Sequence, residues 1–142
     1  MKLNYKKLDP EAKEPTYGST LAAGCDFYTI SETVIEPGKY EFIKTGLAIE
    51  LPKSYFLLLC PRSSLILKNN LDMPNSVGVI DEDYRGEIMI VLRNLGDKAV
   101  TIAKGERIAQ GIIMKYNQIK FLEVKKLSPT NRGTGGFGST GK

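Results

Sequence analysis

Residues 54–69, SYFLLLCPRSSLILKN, contain both kinds of regular structure that this sequence predicts. The first half is an apolar run between Pro52 and Pro61, a pattern typical of a short buried β-strand. The second half, Ser63 to Asn69, is the only stretch of the chain whose pattern fits a short helix. The sequence therefore predicts a strand over residues 54–60 that leads through a turn into a single helix.

Strand patterns dominate on both sides of this stretch. They are short, and pairs such as Pro37-Gly38 and Lys104-Gly105 separate them as turns. Many short strands with one helical turn indicate an all-β fold, an antiparallel sandwich, jelly roll or small barrel. The other predicted strands are residues 27–30, 40–43, 47–51, 87–93, 99–102, 107–114 and 119–124, the last with an alternating, half-buried pattern.

The composition excludes several classes of function. The 142 residues are the length of one domain, and the absence of histidine excludes imidazole bases, Ser-His or Cys-His nucleophiles and His-ligated zinc. Acid–base chemistry would fall to carboxylates, and a metal would be a hard cation held by oxygen. The net charge of +4 comes without a Lys/Arg block, so no nucleic-acid partner is expected.

The cellular location follows from what the chain contains. Two cysteines, Cys25 and Cys60, are too few for a disulfide scaffold, which indicates a reducing compartment. No apolar run approaches the roughly 20 residues of a membrane span, so no membrane partner is expected. We therefore expect a cytoplasmic protein, or one of the host cell cytoplasm or nucleus if its source is viral.

The composition changes at Pro129, where a glycine-rich end begins. Residues 1–128 are predicted to form the domain, and residues 129–142 a flexible arm whose last part reads RGTGGFGSTGK. Arg132 with the hydroxyls of Ser139 and Thr140 could bind an anion, and Phe137 could stack on a base. A plain disordered tail is the commoner meaning of terminal glycine clusters.

Two further segments are candidates for chemistry. Arg62, Ser63 and Ser64 stand where a strand turns into a helix, a setting that suits a phosphate, although the serines could simply cap the helix. Residues 78–87, GVIDEDYRGE, have the pattern of a β-hairpin in which Asp81 is a partly desolvated carboxylate base. The alternative for Asp81 is a solvated acidic turn.

Two more segments are weaker signals. Residues 105–110, GERIAQ, open a late strand, in which Gln110 could reach a phosphate or a base, or could simply face outward. Asp26 ends the turn AGCD and could hydrogen-bond a metal-bound water, or could cap the turn.

The five segments together, and in this order, resemble the motifs of the trimeric dUTP diphosphatases (dUTPases). They are residues 23–26 (AGCD), 62–65 (RSSL), 78–87 (GVIDEDYRGE), 105–110 (GERIAQ) and 132–141 (RGTGGFGSTG). The resemblance covers nearly the whole chain. It implies a jelly-roll-like homotrimer that hydrolyses dUTP to dUMP and pyrophosphate with Mg²⁺, which limits uracil in DNA and supplies dUMP for dTMP synthesis.

The resemblance also implies a role for each matching residue. Asp81 would activate the attacking water, and the Tyr84 ring would lie under the deoxyribose and clash with a ribose 2′-hydroxyl. Asp26 would meet waters bound to Mg²⁺. One subunit would give the first, second and fourth motifs, a second the uracil hairpin, and a third the arm. The remaining contacts would be Asn75, Gly78, Val79 and Ile80 with uracil, Arg62, Ser63, Ser64 and Gln110 with phosphates, and Arg132, Gly136, Phe137, Gly138, Ser139 and Thr140 in the arm.

Three rival functions differ in what the sequence should contain. A dCTP deaminase of the same fold would not be expected to carry the glycine-rich arm with Phe137. A non-catalytic nucleotide-binding regulatory protein would have no need of Asp81. A β-barrel that binds nucleic acid would interleave aromatic and basic residues, and this chain does not.

Overall fold

Strands dominate residues 2–136, the part of the chain that the computed structural model describes. The all-β class with one short helix is confirmed. In chain order the elements are β1 (Asn4–Lys7), β2 (Thr16–Tyr17), β3 (Cys25–Tyr28), β4 (Thr33–Ile35), β5 (Tyr40–Lys44), β6 (Leu47–Glu50), β7 (Tyr55–Cys60), α1 (Ser63–Asn69), β8 (Leu71–Asp72), β9 (Gly78–Ile80), β10 (Met89–Asn94), β11 (Val100–Ile102) and β12 (Arg107–Lys115).

The largest sheet has the order β2-β3-β12-β7-β9, and all of its pairs are antiparallel. Strand β12 lies in the middle, so that Gln110 is in register with Asp26 on one side and with Cys60 on the other. Because Pro61 and Arg62 follow Cys60, this pairing brings three of the sequence motifs to one end of the sheet.

A second sheet, of order β5-β10-β8, shares one apolar core with the first, and the pairs β1–β6 and β4–β11 complete the described strands. The core contains Phe27, Leu57 and Ile108 from the larger sheet and Ile43 and Ile90 from the smaller one. Side chains that alternate along each strand fill the space between the sheets, as expected for a sandwich.

The helix α1 has the bounds that the sequence predicts, Ser63–Asn69. It ends at Asn70 in the left-handed conformation, and the Asn70 amide donates to the Ile66 carbonyl at 3.2 Å. The alternative that Ser63 or Ser64 caps the helix is wrong, because Arg62 is the N-cap and no side chain makes a capping bond.

The predicted hairpin over residues 78–87 is wrong in its pairing. Strand β9 pairs with β7, with Leu58 in register with Val79, whereas β10 pairs with β5 and β8 in the other sheet. Residues 81–86, which we call the acidic turn, therefore carry the chain from one sheet to the other. The apolar pattern on both sides of the turn reflects two separate buried strands.

The predicted strand over residues 119–124 is also wrong. No strand lies beyond Lys115 within the described residues, and Ile119, Phe121, Leu122 and Val124 are exposed, Phe121 by 86%. Among residues 2–136 no strand pairs with this segment, and a strand forms only when its backbone groups find hydrogen-bond partners.

Within residues 2–136, no helix has the length and apolar character that a membrane crossing needs.

Candidate active site

A buried carboxylate between two guanidinium groups forms the first part of the site. Asp26, on β3, is only 8% exposed, and its two oxygens contact Arg62 Nε at 2.9 Å and Arg107 Nη1 at 3.2 Å. We call these three residues the arginine cluster. The two arginines outnumber the carboxylate, so the cluster keeps a net positive charge that suits an anion.

Arg107 is a site residue that the sequence analysis did not single out. It begins β12, three residues before Gln110, where the pairing of β12 with β3 shifts by a bulge. Its position in the fourth motif was the available signal, but its contact with Asp26 crosses 81 positions of sequence. No local pattern reports such a contact.

Gln110 joins the cluster to the second motif. Its side-chain amide donates to the Pro61 carbonyl at 3.1 Å, which fixes it beside the turn that carries Arg62. Gly24 makes room for it, since a Cβ there would lie 3.3 Å from Gln110 Oε1. The first, second and fourth motifs therefore meet at one place, as the pairing of β12 with β3 and β7 requires.

Ser63 and Ser64 open α1 directly beside Arg62. Neither hydroxyl caps the helix, and the first amides of a helix have no partner within it. The hydroxyls and amides of this turn thus add neutral donors to the charge of the arginine cluster. Such a combination can hold several oxygens of a phosphate chain.

Asp81 lies at the exposed end of β9, in the second part of the site. It lines an open groove of about 960 Å³ together with Phe56, Val79 and Tyr116. The expected partial desolvation is wrong for the isolated chain, because Asp81 is exposed. The acidic turn directs the neighbouring Glu82 at the protein body instead, and leaves Asp81 open to a ligand.

Glu82 fixes the acidic turn to the rest of the chain. Its Oε2 atom accepts a hydrogen bond from the Ser54 amide at 2.7 Å and another from the Tyr116 hydroxyl at 2.9 Å. These bonds, the Ser54 amide first, lower the pKa of the Glu82 carboxyl, and the same contact raises the pKa of Tyr116. Sequence reasoning missed Glu82 because its partners are 28 and 34 positions away.

Tyr84 lies on the exposed side of the same turn. Its hydroxyl donates to the Glu87 carbonyl at 2.9 Å, and its ring remains 41% exposed. Gly78, Val79 and Ile80 form β9 before it. Asn75 lies in the preceding turn, exposed, with its carbonyl bonded to the Val77 amide at 2.6 Å.

The two parts of the site are far apart within one chain. Asp26 and the turn at Asp81 lie on strands β3 and β9, three positions apart in the sheet. Along the strand direction, Asp26 is at the height of Cys60, because both are in register with Gln110. Ile80 is in register with Leu57, and Asp81 is one residue further along β9's direction, so the two carboxylates differ by about four residues in height. With strands about 4.8 Å apart and a rise of about 3.3 Å per residue, the two backbones are separated by about 20 Å. One chain does not bring Asp81 to the arginine cluster.

The described part of the arm makes local contacts. Arg132 Nε donates to the Gly135 carbonyl at 2.9 Å, and Gly136 is exposed. The other predicted arm residues, Phe137, Gly138, Ser139 and Thr140, lie outside the described residues.

The donor set shows what kind of metal ion could bind. Within residues 2–136, no group of three or more His, Cys, Asp or Glu side chains could hold a metal. Each oxygen of Asp26 accepts one guanidinium bond and keeps a second acceptor position. The site therefore fits an ion carried by a phosphate ligand and contacted by Asp26 through water.

Comparisons with known proteins agree along the whole chain. Residues 10–141 match the family model described as dUTPase. The chain is 47% identical to the deoxyuridine 5'-triphosphate nucleotidohydrolase of Nautilia profundicola, with all of both chains aligned, and 48% identical to that of Hydrogenobaculum sp., with 99% of each aligned. The fold is similar to that of Staphylococcus bacteriophage 80alpha dUTPase, solved as a G164S mutant with dUpNHpp, at a TM-score of 0.91 and 28% identity over 99% of each chain.

Proposed function

The chain belongs to the dUTPase family, so its reaction is the hydrolysis of dUTP to dUMP and pyrophosphate, and we propose that Asp81 activates the attacking water. The observation that carries the reaction is the full-length match to relatives of that activity. In the cell the reaction limits uracil in DNA and supplies dUMP for dTMP synthesis.

Asp81 is suited to act as the general base. It is an exposed carboxylate on a turn that Glu82 fixes to the protein body, so it can reach a bound ligand without a rearrangement of the turn. A carboxylate that accepts a proton from water makes the oxygen nucleophilic toward the α-phosphorus. The chain has no histidine to take this role.

The arginine cluster and the start of α1 are proposed to bind the phosphates. Arg62, Ser63, Ser64 and Gln110 supply a guanidinium, two hydroxyls and an amide within one turn and one strand. Asp26 orients Arg62 and Arg107, because it lies between their guanidinium groups. Donors fixed in this way stabilise the charge that develops as the α-phosphorus is attacked.

The second part of the site is proposed to select the nucleoside. The backbone of Gly78, Val79 and Ile80, together with Asn75, would pair with the uracil edge, and the ring of Tyr84 would lie under the deoxyribose. Backbone donors and acceptors at fixed positions distinguish uracil from cytosine, since a wrong base leaves them unpaired.

We propose that each site is assembled from three subunits of a homotrimer. The separation of about 20 Å between Asp81 and the arginine cluster supports this, because both must act on one triphosphate. Residues 117–128, which we call the linker, expose Ile119, Phe121 and Leu122, side chains that a neighbouring subunit would cover. The linker would place the arm, residues 129–142 with Arg132, Gly136, Phe137, Gly138, Ser139 and Thr140, over a site of another subunit.

Mg²⁺ is proposed as the cofactor, bound by the triphosphate, with Asp26 as the residue that meets its water ligands. When bound, the ion neutralises phosphate charge. We also propose a cytoplasmic enzyme, because the two cysteines are free, as is usual in a reducing compartment.

Pyrophosphate release from dUTP, dTTP, dCTP and UTP, each with Mg²⁺, tests the assigned reaction. The proposal predicts rapid release from dUTP and slow release from the other three nucleotides. Equal rates on all four would contradict it, and so would ammonia release from dCTP, which marks the deaminase of the same fold.

A further inference from the structure

Gly86 is the residue over which the Tyr84 ring lies. A Cβ atom at position 86 would be 2.6 Å from Tyr84 Cζ and 3.0 Å from Cε2, and nearer still to the hydroxyl oxygen. Non-bonded carbon atoms do not approach so closely, since their favourable separation is about 3.5–4.0 Å. The ring can occupy its observed position only because residue 86 has no side chain.

The hydroxyl end of the same ring is fixed to the core of the protein. Tyr84 donates to the Glu87 carbonyl at 2.9 Å, and the Glu87 carboxylate accepts the Gly46 amide at 2.8 Å. The next residue, Ile88, is fully buried and donates to the Leu47 carbonyl at 2.8 Å. The ring is therefore attached to strand β6 and its preceding turn, although its face is exposed.

We propose that Gly86 is a specificity-determining residue, which sets the position of the Tyr84 ring and so the exclusion of ribonucleotides. The inference rests on the proposed function, in which this ring lies under the deoxyribose. A ribose differs by a single hydroxyl, and an apolar surface that can yield discriminates weakly against one added hydroxyl. The contact with Gly86 and the hydrogen bond to the Glu87 carbonyl together hold the ring at the 2′-position.

The substitution Gly86→Ala should displace the ring and leave the backbone intact. The φ angle of Gly86 is outside the left-handed region that Gly38, Gly46, Gly105 and Gly133 occupy, so alanine is compatible with the main chain. The atoms that a Cβ would meet are the far end of one flexible side chain, which can turn aside. Gly18→Ala is the matched control, because a Cβ there has nothing within 4 Å.

The experiment measures kcat/KM for dUTP, UTP and dTTP, and Tm, in the unmodified enzyme and in both variants. In Gly86→Ala the preference for dUTP over UTP should fall by about tenfold or more, while the preference over dTTP stays unchanged and the Tm falls by no more than a few degrees, because one exposed hydrogen bond is lost. Gly18→Ala should leave all of these values unchanged. If Gly86 had only a structural role, the substitution would lower the preference for dUTP over dTTP and the preference for dUTP over UTP together.

An unchanged dUTP-to-UTP ratio in Gly86→Ala would overturn the inference, as would an equal fall of both ratios. If that variant fails to fold, Tyr84→Phe takes its place, because it keeps the ring but loses the bond to Glu87. The same fall in sugar preference, at a smaller size, is then expected, and an unchanged ratio overturns the inference. No preference of the unmodified enzyme for dUTP over dTTP would instead count against the proposed function itself.

Discussion

Asp26 and Asp81 are both carboxylates of the candidate site, and their surroundings are opposite. Asp26 is buried between Arg62 and Arg107, whereas Asp81 is exposed on the acidic turn. A carboxylate that lies between two guanidinium groups accepts a hydrogen bond from each and orients them. An exposed carboxylate on a fixed turn is free to accept a proton from a bound water. These surroundings support the proposal that Asp26 orients the two arginines and that Asp81 takes the proton from water.

The substitution Asp81→Asn tests this assignment. An amide is nearly the same size but cannot act as a base, so kcat should fall by a factor of about 10² or more while the Kd for a non-hydrolysable dUTP analogue stays within a few-fold. Stopped-time pyrophosphate assays and calorimetric binding measure the two quantities. Asp97→Asn, an exposed carboxylate in the turn after β10, is the control that should change neither. Unchanged kcat in Asp81→Asn would remove Asp81 from its role.

The candidate residues that the sequence singled out have local settings, whereas those that it missed have partners far away in the sequence. Asp81 could be singled out because its setting, the end of Val79-Ile80 and the start of an acidic turn, is local. Arg107 and Glu82 could not, because their partners lie at a distance in sequence that only the sheet order brings together. For the same reason the burial of Asp26 and the exposure of Asp81 were not predictable.

At the scale of elements, the acidic turn depends on Glu82. The bonds from the Ser54 amide and the Tyr116 hydroxyl favour the charged form of Glu82 and lower its pKa. A carboxyl whose pKa is lower in the folded state stabilises that state above its unfolded pKa, about 4.3, and loses this contribution as the pH falls through its lower folded value. The turn should therefore loosen only in acid.

Glu82→Gln should show this dependence on pH. At pH 7 the variant should unfold at lower urea than the unmodified protein. The difference should shrink as the pH falls below the unfolded pKa of about 4.3 and through the lower pKa of the folded Glu82, because the carboxyl then becomes neutral. Urea midpoints at fixed protein concentration between pH 7 and pH 3 measure it. Glu41→Gln, which replaces an exposed carboxylate of β5, should show no such trend. A difference that stays constant over the whole range would contradict the role of the Glu82 charge.

The elements that were predictable from sequence begin and end at residues that locally stop a helix or a strand. The helix lies between Pro61 and the left-handed Asn70, and its bounds are confirmed. Strands β7 and β12 agree with their predictions to within a residue, because long apolar runs end at turn residues. The sequence did not predict the two-residue strands β2 and β8, because two residues are too few to show the alternation of apolar and polar side chains. The strand expected at residues 119–124 has an alternating pattern but no partner strand in the part of the chain that the structure describes.

At the scale of the whole molecule, the proposed trimer gives the linker and the arm separate roles. The linker exposes large apolar side chains that a second subunit would bury, whereas the described part of the arm has only local bonds. Assembly should therefore depend on the linker, and catalysis on the arm.

Two truncations separate these tasks. A chain that ends at Thr130 should remain a folded trimer but lose about a hundredfold or more in kcat/KM, because the arm no longer encloses the substrate. A chain that ends at Tyr116 should lose the trimer as well. Sedimentation equilibrium and the dUTP assay measure both properties. Full activity of the chain ending at Thr130 would count against the arm as part of the site.

The central claim is that Asp81 of one subunit acts on a substrate that the arginine cluster of another subunit binds. Mixing two variants, Asp81→Asn and Arg62→Ala, in equal amounts under conditions that exchange subunits tests it most directly. Each variant alone should be nearly inactive. If the site is shared, a random mixture should recover about a quarter of the unmodified activity, the fraction of sites in which both contributing subunits carry the intact residue. If the mixed trimers form and remain as inactive as the separate variants, both residues belong to one chain's site and the claim is wrong.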